Sequence, residues 1–567
     1  MEQTRKCKFK RLVILITLVV LLAACSKDTP NHAEQNMSAN TIRLTEPGTF
    51  PIVEGDPVEL TVLTRADARM EDIRTNAFTK YYEELTNVKI NWEVAPEGGL
   101  VEALNLRLST GDLPDIIMGM PIDRAQQKIY GEQGVFLDLS ELYEEHGSIS
   151  KEMFERNPHV LDFISSQDGK FYTLPQVSEC DFCVSPVNMW IYEPWLEQLG
   201  LDMPETTEQF YDVLRAFRDQ DPTGHGGVIP LAGSPAEGLL ARVEQFLMNA
   251  FVYTPPERLY LSNGKVEASF MQPGWKEGLK YLHKLYAEGL LAEESFTMDR
   301  QQLTQLGEHP EYAVLGAVPG GYQGYFTEIG SESNRYLEYV MVPPLEGPDG
   351  TRQAVHSPYG IVATDVITSS ALAHKEVAFR WLEGLYFPEV TLQARRGVPG
   401  VDWVEADEGM VGLDGRPAKI KVITQYGKSS NNHWFSIGPF WYSEDATMEV
   451  AVEDRSRDIN AILFDQLTAK YVPHLADIET VLPPLLFDEE QSMEVADLKM
   501  TIMNYVDEMI AKFVLGQADI EQEWSQYLET LEEMNVSRYI ALHQQAFDSK
   551  DPLHGEVEVY DKERKSH

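Results

Sequence analysis

Few residues in this chain have the types and spacing to do chemistry. Cys180-Asp181-Phe182-Cys183 sets two thiols as a CxxC, the spacing of a redox pair, half a metal site or a short-loop disulfide. No second CxxC or CxxH completes a tetrahedral zinc site, and the flanks lack the strand-then-helix context of a thiol oxidoreductase. A local disulfide, free thiols and a redox or metal role all stay open. Asp219, Asp221 and Thr223 bring oxygens to a glycine-rich turn over 219–230, too few for a cation that takes six to eight. Neither a metal nor a cofactor is therefore expected. The 90 acidic residues could place two carboxylates together anywhere, which is all a glycoside hydrolase requires. HExxH, GxSxG, a Walker loop and a GxGxxG after a strand are all absent, and Gly316, Gly320, Gly321 and Gly324 have the wrong spacing for the last. What remains is a charged trio, Arg65, Asp67 and Arg69, and the stretch His433-Trp434-Phe435-Ser436-Ile437-Gly438-Pro439-Phe440-Trp441-Tyr442, whose aromatics are broken by Gly-Pro and cannot form one regular core face.

The trio is positioned by the elements around it. Val58-Glu59-Leu60-Thr61-Val62-Leu63 alternates as a strand, and an amphipathic helix follows through Phe78, Tyr81, Tyr82 and Leu85. A second strand over 88–94, a helix around 101–109 and an apolar run at 116–118 complete a βαβαβ order. That order implies an α/β fold with a mostly parallel sheet, whose ligands bind beyond the carboxyl ends of the strands. Arg65, Asp67 and Arg69 fall just there. Further on, Thr206-Thr207-Glu208-Gln209 is a capping box opening a helix to about Arg218. Helical spacing also runs over 275–289, 376–385 and most of 489–547.

At 567 residues the chain is long enough for two or more lobes, and its formal charge of −43 argues against nucleic acid or anionic headgroups as partners. The N-terminus carries five basic residues before an apolar run at 12–24, shorter than the ~20 residues a membrane span needs. Leu22-Ala23-Ala24-Cys25 closes that run and resembles the bacterial lipobox, in which the cysteine is lipidated. This implies a signal peptide over 1–24, attachment to a membrane through Cys25, and a polar spacer over 25–56.

From Gly111-Asp112-Leu113-Pro114-Asp115 onward the chain is similar to the extracellular solute-binding proteins of ABC importers, the maltose-binding class. Gly134-Val135-Phe136-Leu137-Asp138-Leu139, Asp168-Gly169-Lys170-Phe171-Tyr172-Thr173-Leu174-Pro175, Trp195-Leu196-Glu197-Gln198-Leu199-Gly200-Leu201, "PLEGPDG" at 344–350 and "GVPGVDW" at 397–403 match in order, as does the closing "FVLGQADIEQEW". Two segments depart from the pattern. "IREDWL" reads here Ile191-Tyr192-Glu193-Pro194-Trp195-Leu196, and the calcium loop of some relatives is two residues shorter at 221–230 and lacks its late acidic pair.

The resemblance implies a two-lobed periplasmic-binding-protein-like fold with hinge crossings and a cleft between lobes. Lobe one would be 57–178 with 345–440, and lobe two 187–343 with 450–550. Crossings would lie near 176–186, 343–345 and 441–451. The implied role is a lipid-anchored, monomeric, non-enzymatic subunit on the outer face of the membrane, handing an oligosaccharide or similar polar solute to a permease. A sensor or adhesion co-receptor of the same fold, or a carboxylate-based glycoside hydrolase, are the alternatives. Saccharides call for aromatic plates and bidentate polar groups. Candidate ligand contacts are accordingly Arg65, Asp67, Trp190, Tyr192, Tyr322, Tyr325, His356, Tyr359, Trp403, Trp434 and Trp441.

Overall fold

The computed structural model describes residues 42–549 except 68, 167, 181–183, 236–239, 359–360, 425–428 and 486. The expected signal peptide, Cys25, Cys183 and Tyr359 lie outside the described residues. Ten strands build the two large sheets: β1 (Val58–Arg65), β2 (Val88–Ala95), β3 (Ile116–Met118), β4 (Thr173–Ser178), β5 (Met189–Tyr192), β6 (Ile229–Leu231), β7 (Leu315–Pro319), β8 (Tyr339–Val342), β9 (Ile361–Ile367) and β10 (Phe440–Tyr442).

The first sheet has the order β10-β4-β9-β3-β1-β2. Its β1 pairs in parallel with β2 along its full length, Val58 opposite Val88 through Arg65 opposite Ala95, and with β3 on its other side. The alternation in β1 sends Val58, Leu60 and Val62 into the core. The intervening helix, Ala77–Thr86, is capped by the Asn76 side chain on the Phe78 amide and ends at Asn87 in the left-handed region. Its Phe78 and Tyr82 pack with Trp92, Trp381 and Trp434 in a buried aromatic cluster.

The second sheet, ordered β8-β5-β7-β6, lies within 189–342 and shares one continuous core with helices from 461 onward. The expected capping box opens the helix Thr207–Gln220. Leu345, Ala354 and Val355 belong to this second core, and Gly347 sits so close to the Ala250 carbonyl that no Cβ would fit. The return to the first sheet therefore comes later than the expected 343–345. The two bodies also meet where Arg124 Nη1 donates to the Leu485 carbonyl at 2.9 Å, beside the helices Arg124–Glu132 and Glu489–Val514.

The reading of 25–56 as a spacer does not hold for its end. Ile52 and Val53 are buried, the Ile52 amide bonds the Thr86 carbonyl at 3.0 Å, and Phe50 meets Phe387 edge-on. Arg380 clamps this segment, donating to the carbonyls of Thr45, Glu46 and Thr49 at 2.6, 2.8 and 3.1 Å.

Candidate functional site

Strand direction fixes where a site can lie. In the first sheet β1, β3, β4 and β10 all end on one side, and antiparallel β9 begins there. That side carries Arg65, Gly119, Ser178 and Tyr442, and the chain leaves it after β4 and β10. In the second sheet β5 begins where β7, β6 and β8 end, so Asn188, Gly320, Ala232 and Val342 share one side. The connections between the sheets join these two sides. A cavity of about 460 Å³, lined by Arg74, Glu83, Trp92 and Glu93 among others, lies instead along the free edge at β2.

On the first side Asp67 is buried and Arg69 forks onto it, Nε to Oδ1 at 2.7 Å and Nη2 to Oδ2 at 2.6 Å. Arg65 pairs with the same carboxylate at 3.0 Å and donates to Ser436 Oγ at 3.2 Å. Burial pushes the Asp67 carboxyl up, but the Arg69 hydrogen bonds and charge, with Arg65 behind them, outweigh it and hold the group below its usual range. The Arg69 guanidinium lies 4.0 Å over the Phe435 ring, a cation–π contact. Phe435 itself has φ of 59°, a costly conformation for an aromatic residue, and Gln176 pins the turn by donating to the carbonyls of Ser436 and Gly438. Asp67 thus orients two arginines and keeps neither oxygen spare.

Beside this trio, Asp365 is fully buried in β9 and accepts the Gly119 amide at 2.7 Å. Burial raises its carboxyl to about 7, against the pull of the Gly119 amide, Thr364 and Arg65. Tyr442 behaves oppositely. Burial alone would raise it, but Arg396 and Arg395 hold its hydroxyl below the usual phenol range, with Arg396 Nη2 at 3.1 Å.

On the second side Tyr322 and Tyr325 meet edge-on, ring centroids 5.4 Å apart, each partly exposed. Among the described candidates they are an aromatic pair that the structure brings together at these strand ends. Trp441 is the middle residue of β10, opposite Val177, its indole donating to Glu179 Oε1 at 2.8 Å. His356 lies on the later return, with Nδ1 at 2.9 Å from the Ala476 carbonyl.

Four candidates are placed elsewhere. Trp434 is 1% exposed and donates to Thr79 Oγ1 at 2.7 Å inside the aromatic cluster, so it is core. Trp190 is fully buried and its indole is taken by the Gly320 carbonyl at 2.8 Å. Tyr192 sits at the far end of β5, bonded to Glu338 at 2.9 Å, because the antiparallel register puts it opposite Tyr339 rather than Val342. Trp403 belongs to a small hairpin with 420–422 and donates to the Gly397 carbonyl at 2.9 Å.

Asp365 and Asn188 have no place among the sequence candidates, while Ser436 and Gln323 fall inside the candidate stretches 433–442 and 320–325 without being chosen within them. A lone acid inside Ile361-Val362-Ala363-Thr364-Asp365-Val366-Ile367 and a lone amide before Met189-Trp190-Ile191 were the available signals.

Cys180 is disulfide-bonded, which removes the free-thiol option for it. The short glycine-rich loop does not fit calcium. Asp221 Oδ1 accepts the Thr223 hydroxyl, Oδ2 accepts the Gly226 amide at 2.8 Å, and Asp219 pairs with Arg218 at 2.7 Å. Among the described residues no cluster of three or more His, Cys, Asp or Glu is placed to hold a metal, and no helix is long and apolar enough to cross a membrane.

Comparison with known proteins agrees with this architecture. The fructooligosaccharide ABC transporter substrate-binding protein FusA of Streptococcus pneumoniae serotype 4 (strain ATCC BAA-334 / TIGR4) is 25% identical over 566 residues, 95% of this chain and 97% of its own. Lipoprotein LipO of Bacillus subtilis (strain 168) is 26% identical over 71% of this chain and 76% of its own. The solved structure of the S. pneumoniae protein FusA in complex with kestose superposes with a TM-score of 0.74 at 23% identity, covering 86% of this chain and 99% of that one. The family model for bacterial extracellular solute-binding proteins matches residues 67–391, more than half of the sequence. The chain belongs to the bacterial extracellular solute-binding protein family.

Proposed function

We propose that this chain is the extracellular substrate-binding subunit of an ABC importer and that it captures an oligosaccharide between its two bodies. One observation carries the reading: the connections between the sheets join two strand-end surfaces, one bearing the Arg65–Asp67–Arg69 fork with Phe435 and the other Tyr322 with Tyr325. Arginine donors and partly exposed rings are what a saccharide's hydroxyls and CH faces require. The ligand class named for FusA, aligned over 97% of its length, supports the same class here.

In this reading lobe one comprises 57–178 with part of 345–440, lobe two 187–343 with 450–550, and ligand contacts made only in the closed arrangement drive closure. Trp441, His356 and Tyr359 stay candidate contacts beside the strand-end set. The chain performs no chemistry; its partner is an ABC permease, which takes the solute from the closed form. A lipid on Cys25 after removal of 1–24 holds the monomer at the outer face of the cell membrane, and the name of LipO supports that anchor.

The test is a thermal-shift measurement on residues 25–567 with Cys25→Ser, against kestose, other neutral oligosaccharides and uronic oligosaccharides. Ligand at 100 times its Kd adds about 2.7 kcal/mol to folding stability, a readable rise in Tm. A rise with sugar recovered intact supports the reading. No response to any saccharide, or recovery of cleaved sugar, overturns it.

A further inference from the structure

At the second strand-end surface the buried polar groups do not balance. Gln323 is 0% exposed, yet neither its Oε1 nor its Nε2 has a hydrogen-bond partner among the described residues. Asn188, 1% exposed, donates through Nδ2 to the Gly321 carbonyl at 3.2 Å but leaves Oδ1 without a partner among the described residues, and the same holds for Ser185 Oγ in the same connection. A buried amide without a partner costs on the order of 1–3 kcal/mol, and such groups are rare enough that each needs a reason.

Their surroundings supply one. The backbone ties the two segments together, Gly320 donating to the Asn188 carbonyl at 2.9 Å. The same loop carries the two tyrosines on either side of Gln323. A Cβ on Gly324 would collide with the Tyr322 ring, and one on Gly321 would fall 3.3 Å from the Tyr325 ring, so glycines are what let both rings lie down over this loop. Unsatisfied amides thus share one short loop region with a partly exposed aromatic pair, at the strand ends that the connections join to the side bearing the arginine fork.

We propose that Asn188 and Gln323 are the hydroxyl-reading pair of the second lobe, covered by Tyr322 and Tyr325 in this arrangement and turned onto the ligand when those rings shift. This deepens the oligosaccharide-binding function proposed above and rests on it. An amide offers one acceptor and two donors, matching adjacent hydroxyls on a neutral sugar ring, while the displaced tyrosines stack on its CH face. Lobe two then selects for hydroxyl arrangement, whereas the Arg65–Asp67–Arg69 fork supplies donors from lobe one.

Gln323→Met separates this role from a structural one. Methionine keeps the length of the side chain and removes only the polar atoms, so the free protein keeps or raises its Tm if those atoms have no partner. Calorimetric titration with kestose, or with whichever neutral oligosaccharide raises the Tm of the unmodified chain, should show Kd weakened roughly 10- to 100-fold. Unchanged affinity in Gln323→Met, or a lowered Tm of its free form, overturns the inference and leaves saccharide binding intact. Absence of binding by the unmodified chain removes the reading beneath it instead. If Gln323→Met does not fold, hydrogen exchange on the unmodified protein decides: protection of 320–327 on adding the sugar supports the pair, and unchanged exchange there refutes it.

Discussion

Replacing Asp365 with asparagine should abolish a specific part of the pH dependence of stability. The carboxyl is fully buried in β9 and raised from 3.8 to about 7. Between those values the unfolded chain has lost the proton while the folded chain keeps it, so stability falls as pH rises through this window and is flat above it. A shift of about 3 units corresponds to about 4 kcal/mol at 1.36 kcal/mol per unit. Roughly 1.6 kcal/mol of this is gone below pH 5, which leaves about 2.5 kcal/mol to be lost between pH 5 and pH 8. The replacement amide would still accept the Gly119 amide hydrogen and carries no titrating proton. Urea denaturation followed by tryptophan fluorescence, at pH 5 and pH 8, gives the difference between Asp365→Asn and the unmodified chain. That difference should move in favour of the variant by about 2.5 kcal/mol between the two pH values, other titrating groups cancelling in the comparison. A gap that does not change with pH would refute the assignment of a neutral carboxyl to this site.

Four further outcomes are expected. Arg380→Ala frees three carbonyls of the 45–49 segment; it should cost about 2–4 kcal/mol and expose a protease site within 44–52, detectable by limited proteolysis with a broad-specificity protease such as proteinase K and mass spectrometry. Asp507→Ala leaves the buried Arg258 without its 2.7 Å partner and should cost about 2–3 kcal/mol in denaturant melts, less than a fully buried pair because Asp507 is partly solvated. Trp434→Phe should lose about 2 kcal/mol of stability with its bond to Thr79, yet leave saccharide Kd unchanged in calorimetry. Calcium and EDTA should leave the Tm equal, since both Asp221 oxygens are already engaged; a calcium-dependent rise would show that the loop opens to a metal.

The legible parts of this molecule were those encoded over short distances. The alternation of 58–63, the helix carrying Phe78 and Tyr82, and the Thr206–Gln209 capping box all depend on neighbours within a turn or a strand, and they form as expected. The trio after β1 could be placed because strand polarity alone puts it at a carboxyl end. The aromatic residues were less legible. Trp434 and Phe435 are adjacent in sequence, yet one is locked to Thr79 in the core and the other stacks under Arg69 at the strand ends. Composition cannot tell these apart, since the positive φ at Phe435 that separates them is a tertiary outcome. The folded segment at 44–56 was missed for a similar reason: Arg380, which clamps it, lies more than three hundred positions away. Asn188 carries no local motif, and Gln323 lies between the two candidate tyrosines of 320–325 without a signal of its own; only their burial without partners among the described residues makes them visible.

The interleaving of the first sheet also sets an order of events as the chain is made. The second sheet lies wholly within 189–342 and can pair as soon as that stretch exists. The first cannot close until β9 at 361–367 slots between β3 and β4, and its last edge waits for β10 at 440–442. Residues 58–178 are therefore synthesised early and completed late, holding a three-stranded fragment with an open, hydrophobic β3 edge for the time needed to add nearly two hundred residues. Such non-local closure slows folding and exposes strand edges to other chains. For this protein, yield on expression should therefore respond more to whatever shields the nascent β3 edge than to the final stability of the native state.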